Sequence, residues 1–69
     1  MLQLERLRRK RGWSQAQLAR TAQLNQSTVC SILKGHFIPY QVQLVKLAKA
    51  LGVDEAEAAT LMEVAKGDD

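Results

Sequence analysis

The sequence predicts an all-α fold, a compact bundle of five short helices. Three observations carry that reading. Apolar residues recur at helical spacing along most of the chain. β-Branched residues never cluster into a strand-like run. Glycine appears at intervals, at 12, 35 and 52, each just past an apolar periodic stretch where a helix would stop.

The first helix is read over 2–11, with Leu4 and Leu7 on one face and Arg6, Arg9 and Lys10 turned away. Its last turn, Arg8 to Arg11, is cationic and complements the negative end of the helix dipole. Ser14 opens the second helix, read over 15–22. Gln17 stands three residues after Ser14, the spacing of a capping box, and Trp13 and Leu18 have the spacing of a hydrophobic staple. Leu18, Ala16, Ala19 and Ala22 form its inner side. After the short break Gln23-Leu24-Asn25, Asn25 is the expected N-cap of a third helix over 26–34, and Leu24 and Val29 repeat the staple spacing. Val29, Ile32 and Leu33 are its apolar residues.

The segment 36–39 reads as a loop, with Phe37 and Ile38 expected against the core and Pro39 just before a new helix. The fourth helix, 40–51, carries a wide stripe of Val42, Leu44, Val45, Leu47, Ala48 and Leu51. Asp54 is the expected cap of a last helix running to about 65, with Glu55 and Glu57 in its first turn and Ala58, Leu61, Met62 and Ala65 inward. A single domain over 1–66 with a frayed acidic tail at 67–69 is the expected organisation.

Size and composition narrow the function. The chain has 69 residues, 46% hydrophobic and 25% charged, enough for one small domain. One Cys excludes an intrachain disulfide, and Cys30 with His36 falls short of the four ligands usual in structural zinc sites, so no metal and no cofactor are expected. No apolar run approaches the roughly 20 residues that span a bilayer, so no membrane partner is expected and a cytoplasmic location is. Charge is lopsided. Residues 1–49 hold nine Lys/Arg and one acid, +8, whereas residues 50–69 hold one base and six acids, −5, for a net +3. A basic front of this kind favours a polyanion, although the run from Arg6 to Arg11 is also what the solvated face of a helix looks like.

The order of the helices adds what charge alone does not. Two helices separated by about three residues make a helix-turn-helix. The outer face of the second of them reads Gln26, Ser27, Cys30, Ser31 and Lys34, at spacing i, i+1, i+4, i+5 and i+8. It carries short hydrogen-bonding groups and no acid, where a face selected for solubility alone would more often carry Glu and Lys.

Four stretches in register then carry a resemblance: Trp13-Ser14-Gln15-Ala16-Gln17-Leu18-Ala19, Leu24-Asn25-Gln26-Ser27-Thr28-Val29, Ile32-Leu33-Lys34-Gly35, and Leu47-Ala48-Lys49-Ala50-Leu51-Gly52-Val53. Together they resemble the phage repressor and Cro family of DNA-binding domains, the lambda-repressor-like fold, over about residues 4 to 62. The resemblance implies that the third helix enters the major groove of double-stranded DNA and that two copies read adjacent half-sites as a homodimer. It implies base reading by Gln26, Ser27, Ser31 and Cys30, with the Gln26 amide suited to adenine. Phosphate contacts are implied for Gln15, which also braces Gln26, and for Asn25, Lys34, His36 and Tyr40. Three departures stand out. Gln23 occupies a turn position where the family usually has Gly. Leu33 replaces a Glu that often pairs with the first-helix Arg, so Arg8 must pair elsewhere, snorkel to solvent or reach a phosphate, with solvent or phosphate preferred. Tyr40 stands where Ser or Thr commonly caps.

Several residues keep more than one reading. Trp13 is a core staple or a stacking surface for bases. Cys30 is a small neutral surface residue, a contact for a thymine methyl, or a redox sensor. His36 is an ordinary loop histidine or a pH-dependent phosphate contact. Leu61, Met62 and Val64 are core or a dimer seam. The function expected is a sequence-specific DNA-binding transcriptional regulator, a dimeric repressor with no room for a small-molecule effector. The alternative is a helix-turn-helix antitoxin or interaction module whose acidic last helix docks a protein partner. No catalytic constellation is present in the sequence, so no enzyme is expected.

Overall fold

A computed structural model describes residues 1–64 and is all-helical there. Four α-helices, α1 (Gln3–Lys10), α2 (Gln15–Ala22), α3 (Gln26–Leu33) and α4 (Gln41–Leu51), precede a 3-10 helix at Glu55–Met62. Ala65 and the acidic tail, to which the sequence reading assigned a helix end and a fray, lie outside the described residues.

The core is where the helical spacing put it. Leu4, Leu18, Val29, Ile32, Leu47 and Leu61 are its largest fully buried side chains, joined by Ala19, Ala22, Ala48, Leu51 and Ala58. Each of the buried Leu, Ile and Val side chains contributes about 1.5–3 kcal/mol relative to exposure. α4 packs against α2 and the 3-10 helix, α2 carries α3, and the 3-10 helix carries α1. Thus α4 is the central beam, while α1 and α3 hang on different neighbours of it.

Every α-helix stops by the same device. The residue just past the last turn takes the left-handed conformation, and two amides fold back on the last carbonyls. After α1 the Gly12 and Trp13 amides donate to Arg9 and Arg8; after α3 the Gly35 and His36 amides donate to Ile32 and Ser31. Gly52 and Val53 do the same for α4. After α2 the position belongs to Gln23, at φ 60°, the one non-glycine with positive φ among the described residues. The departure from glycine has not altered the turn; a glutamine has adopted the glycine geometry.

The chain ends differ from expectation. The last helix is 3-10 rather than α and stops at Met62. Three residues per turn stack Ala58 and Leu61 in one line, and both are buried against α4 and α1. Glu63 then goes extended, its carbonyl accepts the Gln3 amide at 2.8 Å, and Val64 bridges to Leu2. This contact explains both the early stop and how α1 starts without a capping side chain, since Leu2 supplies none. Two apolar assignments are corrected as well. Ile38 and Val42 point outward, 83% and 65% exposed. Pro39 occupies the inward place between Ile38 and Tyr40, and Val42 sits in the first turn of α4, ahead of the residues that reach the core.

Candidate nucleic-acid interface

The support for the exposed face of α3 is built from caps and a tight turn. At the start of α2 the Ser14 hydroxyl accepts from the Gln17 amide at 3.1 Å, and the Gln17 side chain accepts from the Ser14 amide at 2.8 Å. The capping box read from the sequence is therefore present, and it fixes Gln15 as the first residue of the helix. At the other end the Leu24 amide donates to the Ala19 carbonyl at 2.8 Å and the Gln23 amide to Arg20 at 3.1 Å. Leu24 and Trp13 both pack onto the core. The two helices are held as one rigid piece by these bonds and by the burial of Leu18, Val29 and Ile32.

With Val29 and Ile32 pointing inward, the opposite side of α3 is open. Gln26, Ser27 and Lys34 are exposed, and Cys30 and Ser31 are half-buried. The side chains of Gln26, Ser27 and Ser31 make no hydrogen bond with other described residues, so their donors and acceptors are available to a ligand. Gln15 is half-buried and forms no hydrogen bond to Gln26. Asn25 stands at the N-cap in extended conformation, but its side chain makes no capping bond. That corrects the expected cap and leaves its amide free at the mouth of the helix. Ser27, Thr28, Ser31, His36 and Phe37 line a surface groove of roughly 310 Å³. Thr28 was not singled out by its spacing, since it falls off the row that joins Gln26 to Lys34. Its nearness to Ser27 and His36 comes from how the loop folds back.

Tyr40 is the N-cap of α4 and is 71% exposed. The cap is one-sided: the Gln43 side chain accepts from the Tyr40 amide at 2.9 Å, and a phenol at that position returns no bond to the helix start. The Tyr40 ring meets Phe37 edge to face, with centroids 6.0 Å apart.

The cations sort into two groups. Arg8, expected at solvent or on a phosphate, is tied up within the fold. Its Nε and Nη2 donate to Glu5 at 2.8 and 2.7 Å, and its Nη1 donates to the Trp13 carbonyl. Glu5, the lone acid of the basic half, takes the place of the missing partner in α3. Hydrogen bonding from Arg8, opposed by partial burial and aided by Arg9, holds the Glu5 carboxyl below its ordinary range. Arg11 is similarly committed: it donates to the Leu51 carbonyl at 2.6 Å and lies over the Trp13 ring at 5.3 Å. It serves the dipole of α4 rather than that of its own helix. Lys10, Arg20, Lys34 and Lys46, by contrast, form no ion pair among the described residues.

The expected dimer seam does not hold together as a surface. Leu61 is fully buried in the core and Met62 half-buried against it, which leaves Val64, 70% exposed.

A tight turn between two capped helices, with the second presenting an open polar face, is the geometry of a helix-turn-helix. Residues 2–61 match the family described as a helix-turn-helix domain. The chain belongs to that family. No curated protein and no solved structure gives a match. Within the helix-turn-helix domain, α2 is the supporting helix and α3 the presented one, as the sequence order required. No described helix is long and apolar enough to cross a membrane.

Proposed function

We propose that this helix-turn-helix domain is a sequence-specific binder of double-stranded DNA of the phage repressor and Cro kind, acting in the cytoplasm as a dimeric transcriptional repressor. The observation that carries this reading is the α3 face, where Gln26, Ser27 and Ser31 present uncharged hydrogen-bonding tips with no partner among the described residues. Such groups match the donor and acceptor pattern of base edges in the major groove. Gln26, at the first position of α3, is the reader suited to adenine. Ser27 and Ser31 follow along the same face, and the half-buried Cys30 offers a small apolar contact to a thymine methyl.

Phosphate contacts come from groups that the fold leaves available. The Asn25 amide and the α3 N-terminus lie at one end of the face, Lys34 and His36 at the other, with Gln15 and Tyr40 flanking. Cations that neutralise phosphates make binding fall steeply with salt, and that steepness separates backbone contacts from base reading. Arg8 has no part in this set, because Glu5 and Trp13 hold its guanidinium. Selection of bound duplexes from a random pool tests the reading. A palindromic consensus is the expected outcome. Failure of any sequence to enrich would instead favour a protein-docking module.

A further inference from the structure

We infer that the groove between the end of α2 and the later turns of α4 docks an acidic peptide segment of a partner protein, with Lys46 and Lys49 holding its carboxylates and Gln23 its backbone. Thr21, Ala22 and Gln23 form one wall and Lys46, Lys49 and Ala50 the other, around a cavity of roughly 310 Å³. The groove shares no residue with the set proposed to contact DNA, so it goes beyond that reading. Gln15 and Tyr40, proposed on phosphates, stand where α2 and α4 begin. At 1.5 Å per residue, Lys46 and Lys49 lie roughly 9 and 14 Å along α4 from Tyr40.

Gln23 is the first observation. It holds φ 60°, the conformation for which the other three helix ends use glycine. A side chain is strained there, and strain of this kind concentrates where ligands bind. The Gln23 carboxamide is exposed and makes no hydrogen bond among the described residues, so no described contact offsets the strain. The cations facing it are open too. Lys46 forms no ion pair among the described residues, and Lys49 approaches Glu55 only to 3.8 Å, with both side chains exposed. Three residues apart on α4, the two ammonium groups share one face and can meet successive carboxylates. Between the walls, buried Ala22 and half-buried Ala50 leave space for a small apolar side chain.

The acceptors separate a peptide from other polyanions. At the end of α2 the Ala19 and Arg20 carbonyls take the Leu24 and Gln23 amides. The Thr21 and Ala22 carbonyls accept no backbone amide among the described residues, and both residues line the groove. A phosphodiester backbone brings no donor to them, and the negative end of the helix dipole disfavours its charge. A peptide brings an N–H with almost every residue, alongside its carboxylates. Free ammonium groups beside unpaired carbonyls therefore suit an acidic polypeptide and not a nucleic acid.

The test titrates the isotope-labelled chain with a synthetic peptide of alternating glutamate and alanine, and in parallel with a glutamine–alanine peptide and with inorganic polyphosphate. The acidic peptide shifts the amide signals of Thr21 to Gln23 and of Lys46 to Ala50, and the glutamine peptide binds more weakly. K46A/K49A weakens the acidic peptide about three-fold or more, as two exposed charge pairs allow. Gln23→Gly weakens it about two-fold or more while the thermal midpoint rises, so the loss does not come from unfolding. Shifts confined to α1 or to the α3 face overturn the proposal. So does polyphosphate that fills the groove as tightly as the acidic peptide, or binding that either variant leaves unchanged. The measurement uses no DNA, so its failure and failure of the DNA reading are separate results.

Discussion

Arg8 and Glu5, one turn apart on α1, form a two-bond pair at 2.7 and 2.8 Å whose side chains are each only 15% exposed. The same guanidinium reaches the Trp13 carbonyl, so the pair fastens the end of α1 to the residue that precedes the α2 cap. Because the Glu5 carboxyl is held below its ordinary value of 4.5, the pair's contribution is complete above that pH and is lost as pH falls through the depressed value. Glu5→Gln removes the charge and leaves Arg8 half-buried without its counterion. Stability at neutral pH should fall by about 1–2 kcal/mol, and the acid limb of a stability-against-pH curve below 4.5 should flatten. An unchanged acid limb in urea titrations would show that the pair is not what couples folding to protons.

Gln23 holds φ 60° and ψ 43° at a position where the other three helix ends use glycine. A side chain costs about 1–2 kcal/mol in that conformation, and glycine gives back part of the gain through a freer unfolded chain. Gln23→Gly should therefore stabilise the domain by about 0.5–1 kcal/mol and raise the thermal midpoint by about 2–8 °C. A lower midpoint would mean that the Gln23 side chain makes a compensating contact of its own.

The two N-caps of the helix-turn-helix should respond differently. Ser14 takes part in a reciprocal box, so Ser14→Ala should cost about 1 kcal/mol of stability. Asn25 makes no capping bond, so Asn25→Ala should cost no more than about 0.5 kcal/mol while weakening DNA binding. Thermal melts paired with binding at one salt concentration separate the two. Equal destabilisation by both substitutions would count against an unengaged Asn25 side chain.

What was legible in the sequence is what short-range chemistry decides. The Ser14-Gln17 box, the Gly35 and Gly52 stops, and the split of α3 into Val29 and Ile32 inward against Gln26 and Ser27 outward all follow from spacings of one turn. What escaped depends on distant residues meeting. Arg11 reaching the Leu51 carbonyl spans forty positions, and the Glu63 carbonyl on the Gln3 amide closes nearly the whole described chain. No local pattern announces either. Ile38 and Val42 were misjudged because hydrophobicity records what a residue favours, not whether the path of the backbone gives it room inside. The exposed face of α3 was readable for the same reason as the caps, whereas Thr28 beside His36 required the loop to be seen.

Gln26 and Lys34 sit at opposite ends of one helix face, and the proposed mechanism gives them opposite signatures. A Gln amide bonded to the edge of one base discriminates at that base alone, so Gln26→Ala should relax preference at one position of the consensus by about 1–3 kcal/mol. Its salt dependence should stay as it was, since no phosphate contact is removed. An exposed ammonium with no ion pair among the described residues neutralises a phosphate whatever the sequence, so Lys34→Ala should weaken every duplex alike. The slope of log affinity against log salt should become shallower by about 1. Binding titrations of both variants on matched and single-mismatch duplexes, over a range of salt, check the pair together. If Lys34→Ala changed the consensus and Gln26→Ala changed only the slope, α3 would lie in the groove the other way about, with its C-terminal end reading bases and its N-terminal end on the backbone.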